Sequence, residues 1–189
     1  PGLKITVLAS DALVALPGEG VDVAIRYGFK EDSGLVATRL GSSDRLVVAS
    51  PGYLRAHGRP SRPGDLATHR ALAWMRHERP FTRWVLSREG EVEAVDVAPD
   101  LVGDGALVRS WALEGRGVAY KSRIDVAHDL RAGTLVPVLP GWSGDEVPVV
   151  AVMPAGRLGS SRVKALVAHL RPRFAALAAT ARDGRPPVG

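Results

Sequence analysis

The chain has 189 residues, 46% of them apolar and 24% charged, which is a globular composition and not a disordered one, enough for one domain or two small lobes. It contains no cysteine, so neither a disulfide framework nor a thiolate metal site can form, and no apolar run approaches the roughly 18 residues of a membrane-spanning helix. The net charge is +5, but the 21 arginines are scattered with no helix carrying them on one face, which argues against direct nucleic-acid binding by this segment.

Alternation of Leu3, Ile5 and Val7 with Lys4 and Thr6 predicts a strand. Ser10 or Asp11 then caps a short helix carrying Leu13 and Leu16, stopped by Pro17-Gly18. Val21 to Ile25 is a β-branched apolar run that reads as a strand buried on both faces, with Arg26 and Tyr27 at its carboxyl end and Gly28 closing it. Ligands of open α/β sheets bind beyond such strand ends, so Arg26 is either a site residue or a solvated strand end. After turn chemistry at Glu31 to Gly34, Leu35 to Leu40 and Arg45 to Ala49 read as two more strands.

Ser50-Pro51 opens a helix with Ser at N-cap and Pro at N1, and Gly58 ends it. Asp65 to His69 is a single capped turn. Ala71 to Met75 and Phe81 to Leu86 are strands, and Arg88-Glu89-Gly90 turns into Val92 to Val97 to complete a hairpin. Gly103-Asp104-Gly105 opens a helix whose apolar stripe is Leu107, Val108, Trp111 and Ala112, closed by Gly115. Val118 to Tyr120 is a strand, Val126 to Leu130 a helix ended by Gly133, and Leu135 to Leu139 a further strand. Val147 to Met153 is a second buried strand. Ser160 or Ser161 caps a last helix carrying Val163, Leu166, Val167 and Leu170, which Pro172 breaks or kinks before Phe174 and Leu177 resume the stripe. The Pro-rich tail is expected to fray.

The alternation of strands and helices predicts an α/β fold with largely parallel sheets. The five histidines show no ligand spacing, so no metal site is expected. Gly103-x-Gly105 lacks the third small residue of a dinucleotide fingerprint, and there is no Gly-x-Ser-x-Gly elbow. No cofactor is expected, and no convergent base, nucleophile and metal set supports an enzyme.

Several stretches together resemble the effector-binding domain of LysR-type transcriptional regulators. They are Glu19 to Gly28, Leu46 to Leu54 followed by His57-Gly58, Pro60, Pro63, Asp65-Leu66 and His69, then Gly115-Arg116-Gly117-Val118-Ala119. Lys121-Ser122, Asp125-Val126, Asp129-Leu130, Gly133, Leu139-Pro140-Gly141-Trp142 and the closing helix continue the match, which covers about residues 3 to 176. The resemblance implies a two-lobed, type II periplasmic-binding-protein-like fold, each lobe a mostly parallel sheet flanked by helices, joined by two crossover strands. Lobe I would be residues 1–48 and 148–178, lobe II 49–147, and 179–189 a frayed tail.

It further implies a cytoplasmic bacterial regulator that binds a small-molecule effector between its lobes, forms a homodimer or homotetramer, and reaches DNA through an N-terminal winged helix-turn-helix absent from this sequence. The family's first strand and first helix are expected upstream of Pro1. The effector-contact positions that map here are Ser10, Arg26, Tyr27, Gly103, Asp104, Gly105, Tyr120 and Lys121. Ser10 reads equally as a plain helix cap, and Asp104 reads more readily as a cap than as an effector contact. Arg26 and Lys121 favour an organic acid, whereas Asp104 would repel one. An extracytoplasmic solute-binding protein of similar fold is the alternative.

Overall fold

In the computed structural model, residues 2–9, 16, 20–28, 34–76 and 78–183 are described. The elements in chain order are β1 (Ala24–Tyr27), β2 (Leu35–Ser43), β3 (Arg45–Ala49), α1 (Pro51–His57), a 3-10 turn (Pro63–Thr68), β4 (Ala71–Arg76), β5 (Arg79–Pro80), β6 (Arg83–Arg88) and β7 (Glu91–Asp96). They continue with β8 (Pro99–Gly103), α2 (Gly105–Leu113), β9 (Val118–Ser122), α3 (Ala127–Ala132), β10 (Val136–Pro137), β11 (Val147–Pro154), a 3-10 turn (Ala155–Arg157) and α4 (Ser161–Asp183). The chain divides into two compact units: Pro1–Ser43 with Val147–Ala179, and a second centred on Asp44–Glu146.

The first unit is a three-stranded sheet in the order β1-β11-β2, antiparallel throughout. Its middle strand, β11, is the most buried, because it is hydrogen-bonded on both edges and covered on both faces. On one face Ala151 and Met153 pack with Leu40 and with Val163, Val167, Leu170 and Phe174 of α4. On the other, Val150 and Val152 pack with Leu16, Val21 and Leu35.

Three sequence expectations are corrected here. Residues 2–9 form no strand: Leu3, Ile5, Val7 and Leu8 are exposed, with no ladder partner among the described residues. The run Val21 to Ile25 is not buried on both faces. The strand starts at Ala24, is bonded only to β11, and leaves Ile25 41% and Tyr27 46% exposed. The Asp22–Arg157 ion pair at 3.1 Å holds the start of the run at the surface. Of the break or kink expected at Pro172, the break does not occur: the last helix continues to Asp183. Ser10, its helix start and the turn residues Glu31 to Ser33 lie outside the described residues.

The second unit carries a mixed sheet. Order β10-β3-β9-β4 continues to β8 and the short β5, and β6 with β7 forms a separate two-stranded ribbon. Parallel pairing is confined to β4 with β8 and β4 with β9; β3 runs antiparallel to β9. The expectation of mostly parallel sheets therefore fails in both units. Parallel strands need a crossover, and the one helical crossover here is α2, which carries the chain from β8 to β9 on the two sides of β4. One face of the sheet packs Val47, Tyr53, Leu66, Trp84, Leu86 and Val95. The other packs Leu46, Val48, Leu72, Val108 and Ala112 beneath α2.

The seam between α1, the first 3-10 turn and β4 is held by a relay of hydrogen bonds. The Arg70 amide donates to Tyr53 Oη at 3.0 Å, and Tyr53 Oη lies 3.2 Å from His69 Nδ1. Tyr53 Oη thus links the Arg70 amide and the His69 ring. The His57 ring stacks on Tyr53 at 4.3 Å between centroids. Burial lowers the His69 pKa from its ordinary 6.5, His57 lowers it further, and Asp65 opposes both. The unfolded chain then binds a proton that the folded one refuses. The stability from this group is complete above pH 6.5 and is lost as pH falls through 6.5 toward the lower folded-state value. Urea midpoints at pH 8 and pH 5 should therefore differ more for the wild type than for His69→Gln. Equal differences in the two proteins would remove His69 as the acid-sensitive group.

Candidate functional site

The site is built where the parallel strands of the second unit end. Trp74 on β4 is paired with Gly103 on β8, and Lys121 near the end of β9 is paired with Leu46 of β3. Beyond Gly103 the chain turns into α2. Asp104 is its N-cap, with Oδ1 accepting from the Leu107 amide at 2.7 Å. Gly103 has no room for a side chain, because a Cβ there would lie 2.9 Å from the Trp111 ring and 3.1 Å from Leu107.

Lys121 ties the two elements together. It is only 6% exposed, and its Nζ donates to the Gly105 carbonyl at 2.6 Å, in the first turn of α2. Its charge is matched by the partly exposed carboxylate of Asp125, in the turn that follows β9. Gly103, Asp104, Gly105 and Lys121 are thus one constellation. Asp125, which the sequence reading left out of the candidate site, adjoins them, brought back to Lys121 by the turn after β9. Two carboxylates, Asp104 and Asp125, against one lysine leave this corner with an acidic balance.

Behind it, α2 is braced against α3 by a two-pronged pair. Arg109 Nε and Nη2 donate to Asp129 Oδ2 and Oδ1, each at 2.6 Å, and Asp129 is 3% exposed. No sequence pattern marks that pair, whose members are 20 residues apart.

Tyr120, expected to add a phenol to the site, is not brought into the constellation. Its side chain alternates with that of Lys121 and enters the core, as neighbours on a strand must. The ring stacks on Trp84 at 5.5 Å and Phe81 at 6.2 Å, under the Arg45 guanidinium, and its hydroxyl donates to the Val85 carbonyl at 2.8 Å. Burial pushes its pKa up to about 12. Arg26 and Tyr27 lie in the first unit, at the end of β1, opposite Val150 and Val149 of β11. Ser10 lies outside the described residues. Among the described residues no group of three or more His, Asp or Glu side chains could hold a metal ion. Among the described residues no helix is long and apolar enough to cross a membrane.

The model of the LysR substrate binding domain matches residues 1–175. The regulator PtxR of Pseudomonas aeruginosa is 33% identical over 172 residues, which is 90% of this chain and 55% of that protein. DmlR of Escherichia coli is 34% identical over 176 residues, 93% of this chain and 57% of that protein. This chain thus spans about half the length of the curated relatives it matches. The solved regulatory domain of CrgA from Neisseria meningitidis, a LysR-type regulator, is similar at 30% identity with a TM-score of 0.77, over 87% of this chain and 81% of that one.

Proposed function

Because this chain belongs to the LysR family of transcriptional regulators, as the substrate-binding domain of that family, we propose that it senses the small-molecule effector of a bacterial regulator. It has the family's type II periplasmic-binding-protein-like fold, α/β with mixed sheets. The observation that carries the reading is the continuity of the family match, which runs through both compact units. A solute-binding protein of similar fold is not favoured, since the relatives are regulators.

The effector contacts on the second unit are Asp104, Gly105 and Lys121, with Gly103 keeping the approach open. On the first they are Arg26 and Tyr27. Of the two cations that speak for an organic acid, Lys121 is already matched by Asp125 and the Gly105 carbonyl. Arg26 is the cation that the first unit offers an acid, and the α2 corner takes the effector's neutral or hydrogen-donating end. DNA contact belongs to a helix-turn-helix segment outside this chain. The assembly is a homodimer or homotetramer in the cytoplasm, and the domain has no catalytic role.

The test is a thermal-unfolding screen of the 189-residue chain against small organic acids and their amides. An acid that raises the midpoint should lose its effect in Arg26→Gln and be weakened in Lys121→Met. A shift that survives both substitutions would remove these residues from effector recognition. The reading frame upstream of Pro1 is the second check: it should encode a winged helix-turn-helix, and a signal peptide there would overturn the regulator reading.

A further inference from the structure

The second unit has another recess, at the end of its sheet away from α2. Strand β3 runs opposite to β8, so α1, which follows β3, leaves the sheet at the other end from α2. Beside α1 lies a groove of about 300 Å³ with an apolar floor of Pro51, Leu54 and Val136 and two guanidinium groups, Arg55 and Arg59, on its wall. That volume is at the small end of ligand pockets, and an apolar floor with a few fixed polar groups is their usual make-up.

The two arginines differ from most others in the unit. Arg62, Arg70, Arg83, Arg88, Arg109, Arg116 and Arg123 each meet a carboxylate. Arg55 and Arg59 meet none among the described residues. Arg59 is nonetheless fixed: its Nη1 donates to the Pro137 carbonyl at 2.7 Å and the Val138 carbonyl at 3.2 Å. A guanidinium held through one nitrogen presents its other donors in a set direction, the geometry that suits a carboxylate.

We propose that this groove is a second ligand site, for a small amphiphilic carboxylate whose anion bridges Arg55 and Arg59 and whose short apolar body lies on Leu54, Pro51 and Val136. The charge of the wall selects the anion and the floor selects the tail. The site is separate from the effector constellation at Lys121 and does not depend on it.

The experiment titrates the 189-residue chain with hexanoate, hexanamide, acetate and inorganic phosphate, following the backbone amides of α1 and β10 by NMR. Hexanoate should saturate, with the other three weaker by about 10-fold or more. Arg55→Gln/Arg59→Gln should weaken hexanoate roughly 10-fold or more, while Lys121→Met leaves it unchanged. Because removing Arg59 could loosen β10, Arg55→Glu/Arg59→Glu is the second variant, expected to exchange hexanoate for hexylammonium. Hexanoate binding indifferent to both double variants, shifts that never saturate, or equal response to phosphate would overturn the proposal. So would a change of oligomeric state in Arg55→Gln/Arg59→Gln, which would give the groove to a second copy of the chain.

Discussion

Gly144→Ala is expected to destabilise the second unit by about 3 kcal/mol, at the upper end of what overpacking a core costs. A Cβ at Gly144 would fall inside the shell of Tyr120 Oη, and lie 2.5 Å from Cζ and 3.0 Å from Cε2 of the same ring. The ring cannot step aside. It is stacked between Phe81 and Trp84, and its hydroxyl is bonded to the Val85 carbonyl. The backbone is equally fixed, since the Gly144 amide donates to the Arg45 carbonyl at 2.7 Å. Urea unfolding followed by tryptophan fluorescence measures the effect, because Trp84 reports on this cluster. Tyr120→Phe in the Gly144→Ala background should recover part of the loss, by removing the atom that collides while keeping the ring. A wild-type midpoint for Gly144→Ala would show that Tyr120 is not seated in the core.

The second large effect is expected from Arg109→Ala, which strands a buried carboxylate. Asp129 is 3% exposed and takes both of its charge-assisted hydrogen bonds from Arg109. Removing one partner of such a pair costs roughly 3 kcal/mol, because the remaining charge has lost its compensation without regaining water. Replacing both, as in Arg109→Met/Asp129→Leu, should cost distinctly less than the single change, since no charge is then left buried. Chemical denaturation of the three proteins decides it. If the double variant is the least stable, the pair contributes through its own attraction and not by avoiding a stranded charge. The brace also holds α2 against α3, so Arg109→Ala should loosen the first turn of α2, where Lys121 is bonded.

What could be read from the sequence follows the strength of the local signals. The helix starts at Ser50-Pro51 and Asp104 were legible because a cap is a local hydrogen bond: Ser50 Oγ accepts from the Tyr53 amide and Asp104 from the Leu107 amide. The turn at Glu89-Gly90 was legible because both residues take positive φ, which glycine makes easy. Strand β8 was missed. It opens with Pro99-Asp100, poor strand formers, and is stabilised by a distant partner, with the Asp100 carboxylate accepting from the Ala71 amide. The β1 run misled for the converse reason: an apolar β-branched stretch says that a strand forms but not how many neighbours it has.

Of the candidate positions read from the family pattern, Gly103-Asp104-Gly105 and Lys121 are brought together by the structure through one hydrogen bond. Tyr120 lies on the other face of β9 because a strand alternates. Had Lys121 been placed on one face, its neighbour belonged on the other. The bracing pair Arg109 and Asp129 has no local signature, so only three-dimensional proximity could reveal it.

The middle strand of the first unit's sheet has a consequence for biosynthesis. Strands β1 and β2 are never neighbours; each pairs with β11, which the ribosome makes only after all of Asp44–Glu146. The inserted unit can therefore close its own core while its host still lacks the strand that unites it. During that interval the emerging nascent chain carries a finished body on an unfinished stem. Translation of Val147–Pro154 is the event that completes the sheet.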